Sequence, residues 1–216
     1  MITLDSEIST IGGWSTVYSI KGDLTRCAKV LAHHRQYKGE FPDPAMIAQK
    51  KYGIPDMLRY ELDNHRRLMA HVPEDLVQHF VTFYGIEKTR CGRDALVMEL
   101  VTDDTGEVAK NLDANTRPLS LTFFRALERI RRDVLLRYSI DHFGIACRNI
   151  LVRNQDCPVL IDFQNSAKRH RSQFWLKFPF FVRRKVTRKF QRVYRDVNVP
   201  DFTKSPSIAS IKRQSC

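Results

Sequence analysis

The chain has no Cys-x-x-Cys pair. Its five cysteines (Cys27, Cys91, Cys147, Cys157 and Cys216) are odd in number and widely spaced. That pattern argues against a disulfide framework or a zinc site and for a reducing compartment. No apolar run approaches the ~18 residues a membrane span needs. The first residues include Asp5 and Glu7 without a long apolar run, so no secretory signal is expected. No acidic residue occurs from Lys168 to Arg195. The expected location is cytoplasmic, with this basic stretch able to place the protein peripherally at the inner membrane face.

What is present is globular. At 216 residues the chain can build one good core or two small lobes, and its 43% hydrophobic and 10% aromatic content is ordinary for a folded domain. The charge is unevenly distributed. Residues 1–166 carry 22 Lys/Arg against 22 Asp/Glu, whereas residues 167–216 carry 14 Lys/Arg against Asp196 and Asp201. The entire net charge of +12 therefore lies in the last fifty residues, and body and tail are expected to face different partners.

Apolar periodicity lays out the body. Strands are expected over 2–10 and 14–21, joined by a turn containing Gly12 and Gly13. Such a turn lets backbone N–H groups approach phosphates, although two glycines also suit an ordinary hairpin. A third strand, 25–31, carries Lys29 between apolar neighbours. Its ammonium must reach water, a carboxylate or a phosphate. Residues 33–52 read as a loop or broken helix. Pro55 fits the first turn of a helix to about Ala70, with Met57, Leu58, Glu61, Leu62, His65, Leu68 and Met69 on one face. Glu61 inside that stripe calls for a cationic partner, with Lys29 the candidate, unless it sits at a solvated margin. Strands are expected at 79–86 and 94–101, a polar hinge at 102–118, and a helix from Ser120 to about Ile140. The arginines of that helix (Arg125, Arg129, Arg131, Arg132) are expected on a solvated outer face.

One stretch organises the remainder. Asn149 precedes Ile150-Leu151-Val152; a short polar turn follows, then Leu160-Ile161 and Asp162. An Asn closing a loop and an Asp ending the adjacent strand can offer two oxygen ligands to Mg²⁺, a hard cation that also retains phosphates and water. The same pattern also suits a hairpin with two turn residues.

Taken in order, these segments resemble the protein-kinase-like superfamily, and more closely the small, truncated bacterial PhoP regulatory network protein YrbL family. The resemblance runs from about residue 10 to 195. It rests on Gly12 through Tyr18, Cys27-Ala28-Lys29-Val30, Glu61-Leu62, Thr89-Arg90-Cys91-Gly92, Arg148-Asn149-Ile150-Leu151 and the basic segment after Asp162. It implies an α+β, two-lobed kinase-like fold with a five-stranded N-lobe (1–101) and a minimal C-lobe (102–170); composition adds a basic aromatic helical segment (171–195) and, with Pro200, Pro206 and several serines, an expected disordered tail (196–216). The resemblance also implies ATP and Mg²⁺ as cofactors. Lys29 would hold the α- and β-phosphates, Glu61 would position Lys29, Gly12 would lie in the covering loop, and Asn149 and Asp162 would hold the metal.

Departures from the pattern are equally definite. Thr10 and Ser15 occupy the outer glycine positions of the phosphate loop, and Gln164 replaces the glycine after Asp162-Phe163. The catalytic-loop Asp is replaced by Gly144, which cannot deprotonate a hydroxyl. Asp141 and His142 are the nearest candidates for a catalytic role. With 54 residues after Asp162, a full helical lobe with a platform for a protein substrate is not expected.

The basic segment holds eleven Lys/Arg and seven aromatics between Lys168 and Arg195, divided by Pro179. Residues 183–195 read as a helix with Val186, Phe190 and Val193 on one side. Three uses are open: packing onto the short lobe with the charges in water, contact with an anionic membrane, or contact with nucleic acid. The functional expectation is a nucleotide-binding, PhoP-network kinase-like protein. It would be either a weak phosphotransferase of unknown acceptor or a pseudokinase acting as a nucleotide-responsive regulatory module. Anionic-surface binding through the tail is a third class.

Overall fold

A computed structural model describes residues 1–9, 15–31, 53–54, 56–140, 144–163, 178–199 and 202. The expected glycine turn with Gly12, the 33–52 loop, Asp141, His142, Gln164 and the aromatic stretch with Phe174 and Trp175 lie outside these residues. The architecture is α+β. Five antiparallel strands, β1 (Leu4–Ser9), β2 (Ser15–Ile20), β3 (Asp23–Leu31), β4 (Phe83–Lys88) and β5 (Asp94–Glu99), form one sheet in the order β1-β2-β3-β5-β4. Alternation along β3 sorts its side chains onto two faces. Ala28 and Val30 pack with Ile2, Ile20, Ala95 and Val97 on one face. Leu31 turns to the other, where helix α1 (Met57–Met69) contributes Leu58 and Leu62.

Helix α1 begins one residue after Asp56, whose side chain accepts from the Arg59 N–H at 2.9 Å. The cap is therefore this carboxylate; Pro55, expected in the first turn, lies outside the described residues. The strand expected from residue 79 starts only at Phe83. Residues Glu74–His79 instead form a 3-10 helix that buries Leu76 and His79, the latter bonded through Nδ1 to the Pro158 carbonyl at 2.9 Å.

The second half is built around a larger core. Helix α2 (Leu121–Arg129) is capped by Ser120, whose hydroxyl accepts from Phe123 N–H. The single helix expected to Ile140 changes register, continuing as a π-helix over Ile130–Leu136, with Ser139 at φ +52° beyond it. The wider turn buries the adjacent pairs Ile130–Arg131 and Val134–Leu135. Arg131 is thus not on a solvated face. Its guanidinium bonds Glu128 at 2.5 and 2.7 Å and donates to Thr187 Oγ1 at 3.1 Å.

A hairpin, β6 (Ile150–Asn154) and β7 (Cys157–Leu160), lies against this core. The expected hinge is tied to it: Val152 N–H donates to Lys110 O at 2.9 Å and Leu112 N–H to Ile150 O at 2.8 Å. Helix α3 (Pro179–Asp196) opens with Pro179 at its start, where a missing N–H costs nothing. Val182, Val186, Phe190, Val193 and Tyr194 are its buried side. Part of the stretch expected to be disordered also packs here, since Phe202 stacks on Phe124 with ring centroids 5.6 Å apart.

Candidate functional site

Lys29 sits in the central strand, flanked in register by Val17 and Leu96. Alternation places its side chain on the α1 side, opposite Ala28 and Val30. Glu61 falls on the buried stripe of α1, one helical turn from Met57, Leu58 and His65, and is 1% exposed. The two side chains meet: Lys29 Nζ donates to Glu61 Oε1 at 2.9 Å and Oε2 at 2.8 Å. The Phe163 N–H donates to the same carboxylate at 3.2 Å. Burial works against the Lys29 ammonium, but Glu61 and then Asp162 outweigh it, and its pKa rises. Burial pushes the Glu61 carboxyl up against the pull of Lys29. The two hydrogen bonds from Nζ make this a close, buried pair.

Asp162 completes the group from a third part of the chain. It follows β7 with φ +67°, left-handed backbone that a non-glycine residue adopts at a cost of about 1 kcal/mol or more. Its Oδ1 lies 3.6 Å from Lys29 Nζ and accepts no hydrogen bond. Its Oδ2 receives Asn149 Nδ2 at 3.3 Å, while the same nitrogen donates to the Gly144 carbonyl at 2.6 Å. Asn149 is held by its own backbone, with its N–H on Ala146 O at 2.9 Å and its carbonyl receiving Ile161 N–H at 3.0 Å. The hairpin thereby brings Asn149 and Asp162 together across twelve intervening residues.

Two further side chains fix this arrangement. Asn64 Nδ2 donates to the Phe163 carbonyl at 3.0 Å, so α1 grips Phe163 from both sides of its peptide unit. His65 stacks on Phe83 at 4.4 Å, meets the Phe163 ring edge-on at 4.9 Å and donates through Nε2 to Val81 O at 2.8 Å. Burial lowers its pKa to about 4, so it is neutral at physiological pH. Asn64 and the tethering by Phe163 escaped the sequence reading. The available signal was spacing: Glu61, Asn64 and His65 stand at i, i+3 and i+4 on one helix face.

The donor set suits a small hard cation. Asp162 keeps one carboxylate oxygen without a hydrogen bond, and the Asn149 nitrogen is occupied, leaving its Oδ1 as the atom for a ligand. Among the described residues no group of three or more His, Cys, Asp or Glu could hold a metal. Two protein oxygens are nevertheless what Mg²⁺ uses when phosphates and water complete its shell. Of the other residues singled out from sequence, Gly12, Asp141 and His142 lie outside the described residues. Gly144 serves through its carbonyl.

A concavity of about 740 Å³ lies elsewhere. It is lined by Asp113, Arg117, Cys147, Arg148, Arg192 and Asp196, among others, and does not include Lys29, Glu61 or Asp162. Convergence of buried charges marks a site more strongly than volume does, because an unpaired buried charge costs several kcal/mol. No protein-family model matches the chain, and no curated protein matches it.

Proposed function

We propose that the chain is a kinase-like nucleotide-binding protein of the PhoP-linked type, with a two-lobed fold and a Mg²⁺–ATP cleft at Lys29, Glu61, Asn149 and Asp162. One observation carries the reading. A strand lysine, a helix carboxylate and a post-hairpin aspartate, from residues 29, 61 and 162, converge within 3.6 Å. A buried ion pair adds little net stability over apolar residues of the same size, so its position points to use.

When bound, Mg²⁺–ATP supplies the phosphoryl group and neutralises its developing charge. Lys29 would receive the α- and β-phosphates and Glu61 would hold Lys29 in place. Asn149 and Asp162 would take the metal, with Gly12 in the covering loop. Gly144 offers only a carbonyl, already engaged by Asn149, so no group at that position takes a proton from an acceptor hydroxyl. Positioning and electrostatics alone still support slow transfer. The same feature favours a second reading, a pseudokinase that binds nucleotide and signals through shape.

Thermal unfolding with ATP, with and without Mg²⁺, tests the binding. A ligand at a hundred times its Kd stabilises by about 2.7 kcal/mol, or several degrees in Tm for a chain of this size. Wild type is expected to gain that shift with Mg²⁺–ATP. Asp162→Asn, which tolerates the same backbone, is expected to lose the Mg²⁺-dependent part. Absence of any ATP response in the wild type refutes the cleft. Phosphate release abolished by Asp162→Asn marks the transferase; binding without release marks the pseudokinase.

A further inference from the structure

We propose that the outer face of α3 docks the protein on an anionic lipid membrane. The helix has two sides with separate tasks. Its apolar side, Val182 through Tyr194, is already committed to the core, so this helix has no apolar stripe left to lie in a bilayer. The opposite side presents Phe181, Arg184, Arg188, Arg192 and Arg195 at spacings of three and four residues, in one row along an 18-residue helix. Arg184, Arg188 and Arg192 are exposed and form no ion pair among the described residues. No acidic residue interrupts the segment before Asp196.

The row ends in an aromatic foot. Phe178, Phe180 and Phe181 are 56%, 66% and 40% exposed. Their rings pack edge to face on one another, Phe178 with Phe181 at 6.5 Å and Phe180 with Phe181 at 5.4 Å. Phe178 and Phe180, each more than half exposed, are two large apolar side chains whose burial in hydrocarbon is favourable. Rings turned against each other form a knob suited to insertion among acyl chains. They do not form the open, parallel platform on which bases stack. Cationic row and apolar knob together match a negatively charged headgroup layer over hydrocarbon. Such docking is independent of what the Lys29 cluster binds.

Co-sedimentation of the full chain with vesicles tests this. Wild type is expected to bind phosphatidylglycerol–phosphatidylcholine vesicles, to ignore phosphatidylcholine alone and to lose binding as salt rises. The pair Arg184→Ala/Arg188→Ala should weaken partitioning by roughly 25-fold, about fivefold for each charge removed. The pair Phe178→Ser/Phe180→Ser should weaken it by about tenfold or more with all charges retained. All four positions are exposed, so thermal unfolding of both variants should match wild type, which separates lost docking from lost fold. Equal binding to neutral and anionic vesicles, or full binding by either pair variant, overturns the proposal. So does failure to bind vesicles while an oligonucleotide is bound in an arginine-dependent way, which would assign the face to nucleic acid.

Discussion

Lys29 and Arg188 carry the same charge in opposite surroundings. Lys29 is buried in the central strand with two hydrogen bonds to Glu61, and Arg188 stands in water on a helix whose other side holds the fold together. Removing a cation from water costs several kcal/mol, so the fold retains Lys29 only because Glu61 and Asp162 meet it. Arg188 imposes no such cost. The first kind of charge is therefore bound up with folding, while the second is free to serve an external partner. The two regions should differ accordingly in how they respond to mutation.

The largest effect is expected at Glu61. Glu61→Ala leaves the ammonium buried with Asp162 Oδ1 at 3.6 Å as its remaining counter-charge, and should cost about 3–5 kcal/mol in urea unfolding. The double variant Lys29→Met/Glu61→Leu replaces both charges by apolar groups of similar size and should recover most of that loss. It should also abolish the nucleotide response. A cost below about 1 kcal/mol for Glu61→Ala would place the pair among solvated surface bridges and dissolve the contrast with α3.

A pH effect of the next size is expected from His65, which supports Phe163 beside the charged group. Its folded pKa, about 4, lies below the ordinary 6.5, so between these values the unfolded chain binds the extra proton. The stabilisation is present in full above about pH 6.5 and is lost as pH falls toward 4. The shift is equivalent to about 3 kcal/mol. His65→Gln, which retains a donor for Val81 but does not titrate, should flatten the stability profile across that window. An unchanged acid slope in the variant would assign it to other groups.

These two regions were not equally legible. Lys29 and Glu61 could be paired from sequence because each breaks an apolar pattern of known period, two for the strand and near 3.6 for the helix. A charge at a buried phase needs a partner. Asn149 and Asp162 were legible as the ends of a short hairpin. Arg131 was misread because α- and π-helices share the same apolar spacing over a few residues, and only the register change at Ile130 turns it inward. The 3-10 helix at Glu74–His79 was hidden for a similar reason. Its burial of His79 depends on Pro158, a contact 79 residues away. Phe202 is placed by Phe124 and Tyr194, neighbours that local pattern cannot reveal.

Arg131 and Arg188 supply the finest test, because both flank the contact between the π-helix and α3. Arg131 reaches across to Thr187, the residue preceding Arg188, and binds Glu128 with two nitrogens. Arg131→Met keeps the stem but leaves Glu128 and Thr187 without this donor, a loss of about 1–3 kcal/mol. Arg188→Ala removes an exposed side chain with no ion pair among the described residues and should change stability by no more than about 0.5 kcal/mol. Denaturant midpoints of the two variants, measured with equal slopes, compare them directly. If Arg188→Ala costs as much as Arg131→Met, the outer face of α3 is part of the packing and not a surface kept for another molecule.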